Sequence, residues 1–158
     1  MMSQIRCHAK WVFEMRSSAV LSRDGRYRYA LRRSWDGSLP TVLFLCLNPS
    51  TADAHQDDPT IRRCIGFAKL WGYGALSVGN LFALRTKNPK VMQAASAPIG
   101  ARNDYWLRSL ANEADLVIAA WGATGIHLAR ETEVRAMLGK MKCLGTTHSG
   151  YPRHPLYL

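Results

Sequence analysis

At 158 residues, 47% hydrophobic and 20% charged, the chain has enough apolar material for one ordinary core, which excludes a disordered protein, and it is too short for two comfortable domains. No apolar run reaches the roughly 18 residues of a membrane span, and residues 1–16, interrupted by Arg6, Lys10 and Glu14, do not read as a signal peptide, so a cytoplasmic protein without a membrane partner is expected. The formal net charge is +10 and the pI is near 9.9, a field that attracts polyanions, of which nucleic acid is the commonest in cytoplasm; the bland alternative is a basic, soluble surface.

The positive charge is densest early. Eight basic residues (Arg6, Lys10, Arg16, Arg23, Arg26, Arg28, Arg32, Arg33) stand against Glu14 and Asp24 in the first 33 positions. This stretch reads as strands: residues 27–31 follow a turn at Ser22-Arg23-Asp24-Gly25, and Asp36-Gly37 marks the next turn. Residues 1–38 are therefore expected to form a basic β extension to a core spanning residues 39–158, together a single domain. Residues 41–47, TVLFLCL, are continuously apolar, as in a central parallel strand covered on both faces. That strand ends at Asn48-Pro49-Ser50-Thr51.

Asp58-Pro59 opens a helix, with Asp58 as cap and Pro59 in the first helical position. Ile61, Cys64, Ile65 and Ala68 recur at helical spacing, and Gly72 stops the helix. Residues 75–84 read as a second strand with Leu76, Val78, Asn80, Phe82 and Leu84 on one face. Asn88-Pro89 starts a short helix, and residues 104–113 form another. Residues 116–120 are a third strand ending at Trp121-Gly122. A helix over residues 126–138 leads to a last strand at 141–146, and the tail from His148 is irregular. Alternating strands and helices imply a three-layer α/β/α protein with a four-stranded, mostly parallel sheet.

In such sheets a ligand crevice lies beyond the carboxyl ends of the strands. Asn48, Asn80, Trp121-Gly122 and His154 all fall there, on four separate segments. Asn48 offers a donor and an acceptor at a turn fixed by Pro49, where it either holds a water or base edge or merely closes an Asx turn. Asn80 is unusual inside a strand, and its amide must find a partner or cost a few kcal/mol. A base edge suits it; so does backbone. Trp121-Gly122 is either a packing wall for a ligand or a core tryptophan with a turn glycine. His154, bracketed by Arg153 and Pro155, is able to donate to a developing anion, although a tail histidine is often incidental. Asp57 and Asp58, beside Arg62 and Arg63, are best explained by helix capping and solvated charge, with Asp57 in reserve as a general base. Cys7, Cys46, Cys64 and Cys143 show no metal-ligand spacing, and Cys46 and Cys143 fall in apolar strand-like runs, so all four read as structural; neither a metal nor a cofactor is expected.

The strings Asn48-Pro49-Ser50-Thr51-Ala52-Asp53 and Asp57-Asp58-Pro59-Thr60-Ile61-Arg62-Arg63 resemble the DUF1643 family, bacterial and phage proteins catalogued as a domain of unknown function. The resemblance continues through Gly79-Asn80-Leu81-Phe82-Ala83-Leu84-Arg85, Ala120-Trp121-Gly122 and Gly150-Tyr151-Pro152-Arg153-His154-Pro155-Leu156. More distantly, the order of these clusters is similar to the uracil-DNA glycosylase superfamily, with its four-stranded parallel α/β/α fold. That resemblance implies a water handled by Asn48, a pyrimidine edge read by Asn80, and a leaving base supported by His154. Pro49, Ser50, Thr51, Trp121 and Gly122 would line the substrate site, and Arg23, Arg26, Arg28, Arg62, Arg63 and Arg153 would hold phosphates of DNA. The sequence departs from that pattern in three places: Leu156 stands where a serine usually follows histidine-proline, Cys46-Leu47 replaces a glycine before the first motif, and the chain ends at Leu158 without a DNA-wedging loop. The expected function is a glycosylase-like protein acting on or recognising a uracil-like or modified base, by hydrolysis of the N-glycosidic bond if active. The alternatives are a non-enzymatic module binding nucleic acid or modified bases, and a nucleotide or nucleoside hydrolase.

Overall fold

A computed structural model describes residues 14–158; Arg6, Cys7, His8, Lys10 and the expected lack of a leader lie outside the described residues. Six strands, β1 (Arg16–Leu21), β2 (Arg28–Ser34), β3 (Thr41–Cys46), β4 (Ala75–Asn80), β5 (Leu116–Ala119) and β6 (Lys142–Cys143), form one sheet in the order β1-β2-β4-β3-β5-β6. Strands β4, β3, β5 and β6 run parallel, and β2 pairs antiparallel with β4 on one side and with β1 on the other. The sheet is thus mixed and mostly parallel. The sheet has six strands where four were expected: Leu31 pairs with Val78 and Ser34 with Ala75, so β2, from the N-terminal extension, continues the sheet at the edge of β4.

The apolar run of β3 is buried on both sides as its composition requires. Val42, Phe44 and Cys46 face α1 (Pro59–Leu70), which contributes Ile61, Cys64, Ile65 and Ala68. Leu43 and Leu45 face the opposite layer, built from α2 (Pro89–Ala94), α3 (Asn103–Glu113) and α4 (Arg130–Leu138) through Met92, Leu107, Leu110 and Val134. Each such side chain contributes about 1.5–3 kcal/mol through burial. Gly79 lets α3 approach the sheet, because a methyl group there would sit 2.7 Å from Leu107 Cδ2. No described helix is long and apolar enough to cross a membrane.

Several boundaries differ from expectation. Strand β4 stops at Asn80 rather than running to residue 84. Leu76 and Val78 lie on the α1 side, whereas Leu81 and Phe82 both turn into the opposite layer. Beyond them Ala83 and Leu84 take new partners, the carbonyls of Ile99 and Pro98. The helix expected over residues 126–138 begins only at Arg130; a 3-10 segment (Ala123–Ala129) precedes it, with Leu128 and Ala129 at φ of 54° and 55°. The last strand shrinks to two residues, and Cys143 is exposed there instead of serving the core. Cys64 remains a core thiol: a hydrogen bond with Cys46, then burial, holds it well above the ordinary thiol pKa. The tail forms a short 3-10 turn (Pro155–Tyr157) and is tied back by Gly122 N–H donating to Pro152 O at 2.9 Å and Arg153 N–H to Gly145 O at 2.9 Å.

Candidate functional site

The tail places His154 beside the carboxyl ends of β3 and β4. Asn48, Asn80 and His154 share the wall of a small cavity of about 40 Å³, with Arg28 and Asp58. A larger cleft of about 570 Å³ shares Asn48, Ser50, Asp58, Thr60 and His154 with it. The small cavity has room for about one water; the cleft is in the range of small-ligand sites.

Asn48 is half-buried just past β3. Its amide Nδ2 donates to Pro49 O at 3.1 Å and Thr86 O at 2.8 Å, so its orientation is fixed by the backbone. Both amide hydrogens are consumed, which leaves Oδ1 as the acceptor of a side chain that borders both spaces. Asn80 is the reverse. It is 1% exposed, and both Nδ2 and Oδ1 lack a hydrogen-bond partner among the described residues. An amide buried in this way costs about 1–3 kcal/mol unless something enters to pair with it. Its backbone carbonyl is held instead by Asn103 Nδ2 at 2.9 Å, and the next carbonyl, Leu81 O, accepts from Arg130 Nε at 2.9 Å.

His154 Nδ1 accepts from Leu156 N–H at 3.3 Å. In the neutral ring the proton therefore sits on Nε2, the atom left to donate. Burial lowers the His154 pKa below its usual 6.5, against a smaller opposing pull from Asp58. Asp58 caps α1, its Oδ1 accepting from Ile61 N–H at 2.9 Å and its Oδ2 from Ala52 N–H at 3.3 Å. A carboxylate keeps further lone pairs, and this one faces both spaces.

Asp57, held in reserve as a base, is elsewhere: it pairs with buried Arg33 at 2.8 Å and lines neither space. Arg28 corrects a second expectation. It is 2% exposed and donates from Nη1 to Ala52 O at 2.7 Å, so it is a wall of the small cavity and not a surface phosphate ligand. Burial brings its pKa down to about 10, with Asp58 opposing the fall, and it stays charged at neutral pH.

Trp121 forms one side of the cleft. Its indole Nε1 donates to Glu131 Oε2 at 2.9 Å and Arg135 covers the ring at 5.1 Å. Gly125 is required beside it, since a methyl group there would overlap the indole. Gly122 (φ +72°), Ser50 and Thr51 also border the cleft; Pro49 is buried and contributes its carbonyl to Asn48 and to Thr86 N–H.

The remaining basic residues are scattered. Arg23 and Arg26 are exposed in the β1–β2 turn, where Arg26 O accepts from Arg85 N–H, one residue before the cleft wall at Thr86. Arg62 and Arg63 are exposed on α1, donating to Asp57 O and Leu158 O, and Arg153 donates to Tyr157 O at 2.8 Å. Sequence reasoning did not single out Lys87, Thr60, Thr86 or Thr124, which line the cleft, or Asn103 and Arg130, which brace it. An asparagine opening a helix was the only local signal for Asn103.

No curated protein and no solved structure matches the chain, so neither provides a link to uracil-DNA glycosylases. The family described as "Protein of unknown function (DUF1643)" matches residues 28–156, from the buried arginine of β2 to the residue two beyond His154, and the chain belongs to that family.

Proposed function

We propose that the chain takes a uracil-like base of a nucleic acid or nucleotide into the cleft and hydrolyses its N-glycosidic bond. The observation that carries this reading is the Asn80 amide, buried with a free donor and a free acceptor at the end of a cavity that opens on Asn48 and His154. Only the ring edge has to reach Asn80; the ring itself fits the cleft. One amide pairs with a carbonyl and its neighbouring N–H at once.

In this reading the bond from the sugar C1′ to the base nitrogen breaks, leaving an oxocarbenium-like sugar and a negatively charged base. The His154 Nε2–H donates to that developing anion, which costs nothing to reorganise because Leu156 already holds the ring. Asn48 Oδ1 accepts from a water and aims its oxygen at C1′. The water oxygen bonds to C1′, its surplus proton passes to the Asp58 carboxylate, and the base leaves to be protonated by solvent. Asp58 replaces Asp57 in this role because only Asp58 borders the cleft. Lys87 and Arg26, exposed near the rim, suit the flanking phosphates.

The test is base release from single- and double-stranded DNA carrying uracil, hypoxanthine or methylated bases, beside a standard glycosylase. Release that disappears in Asn80→Ala supports the reading. No release from any substrate on which the standard works would refute hydrolysis.

A further inference from the structure

Among the described residues that line the small cavity, one more besides Asn80 has a buried polar atom without a partner: Arg28, at Nε. Its Nη1 is spent on Ala52 O. The two residues demand different things of an occupant. Asn80 is indifferent: no described residue bonds to either end of its amide, so a half-turn swaps donor for acceptor and it pairs equally well with a keto edge or an amino edge. Arg28 is not indifferent, because a guanidinium only donates and stays charged at neutral pH. Asn48 Oδ1 and the Asp58 carboxylate are acceptors at the same cavity, but they and His154 also border the cleft. Arg28 and Asn80 line the small cavity and not the cleft, so Arg28 is the donor-only group that meets the edge entering it.

We infer that Arg28 is the specificity-determining residue of this pocket, selecting bases with a lactam edge (a carbonyl beside a ring N–H, in pyrimidines and purines alike) over bases with an exocyclic amine. The inference rests on the proposed base-binding role of the cleft and adds to it the residue that chooses. An amino base in the same pose would turn an N–H toward the Arg28 Nε–H and leave that donor without an acceptor. A keto oxygen accepts from Arg28 Nε while Asn80 pairs with the same oxygen or the adjacent N–H.

Two pairs of free bases of nearly equal size isolate the edge: uracil against cytosine, and hypoxanthine against adenine. Calorimetric titration of the full chain is expected to show the keto member of each pair bound about tenfold or more tightly, as for a site built to hydrogen-bond one group. Arg28→Gln, which supplies an acceptor and removes the charge, is expected to bring the ratio to near one or below, and Arg28→Lys to retain it. The Arg28 Nε–H resonance of the unmutated protein is expected to move on adding uracil and to stay in place with cytosine, a readout that needs no variant. Equal affinity within the pairs, a preference that survives Arg28→Gln, or an unmoved resonance with bound uracil overturns the role of Arg28 while leaving base binding intact. If none of the four bases binds, the base-binding role falls and this inference with it.

Discussion

Asn103 donates its two amide hydrogens to the carbonyl oxygens of Asn80 and Leu81, at 2.9 and 3.1 Å, and so anchors the point where β4 leaves the sheet. The side chain of one asparagine thereby holds the backbone of another, whose own side chain is left free. Asn103 is fully buried. Replacing it with alanine strands at least the Asn80 carbonyl without a side-chain donor, since Leu81 O keeps Arg130. Asn103→Ala is expected to lose about 2–3 kcal/mol, read as a lower urea midpoint at unchanged slope.

The opposite is expected at Asn80. Its amide takes no partner among the described residues, so removing it sacrifices no bond and relieves an unpaired donor and acceptor. Asn80→Val also suits a strand and adds apolar area beside Val78 on the α1 face. The variant is expected to stay within about 1 kcal/mol of the parent or exceed it, while losing base binding. A drop of more than about 2 kcal/mol would show that the amide is structural.

What was legible in the sequence is what local pattern determines. The two-sided apolar run of β3, the Asp58 cap with Pro59 behind it, and the asparagines near the strand ends all follow from residues close together. Contacts made across the fold were not legible. Eight early basic residues look alike in composition, yet the fold puts Arg28 and Arg33 inside and leaves Arg23 and Arg26 outside. Asp57 and Asp58 are chemically identical neighbours, and only their place relative to the start of α1 turns one to Arg33 and the other to the cleft. Strand β4 looks longer in sequence than it is, because Phe82 and Leu84 continue its alternation after its pairing has moved to another segment.

That division makes Asp57 a test of structure against catalysis. Arg33, 2% exposed, has Asp57 as its one carboxylate among the described residues; the rest of its partners are backbone carbonyls. Asp57→Ala leaves a buried guanidinium without its counter-charge and is expected to cost about 3 kcal/mol. The activity of the fraction that remains folded is expected to be unchanged, because Asp57 does not border the cleft. A variant as stable as the parent but inactive would return Asp57 to the role of base.

The depressed pKa of His154 ties stability to pH in a definite direction. Burial holds it below 6.5, with Asp58 pulling weakly the other way. Well above pH 6.5 the ring is neutral in folded and unfolded chains alike, and His154 adds no slope. As the pH falls below 6.5 the unfolded chain takes up a proton that the native ring resists, so unfolding binds protons and stability declines. The decline levels off once the pH has passed the native midpoint. His154→Gln removes this component, so the difference in stability between parent and variant is expected to be constant above pH 6.5 and to shift in the variant's favour below it. Proton NMR of the His154 ring checks the same point directly: its midpoint is expected below 6.5, and a midpoint above that value would mean that Asp58 outweighs burial.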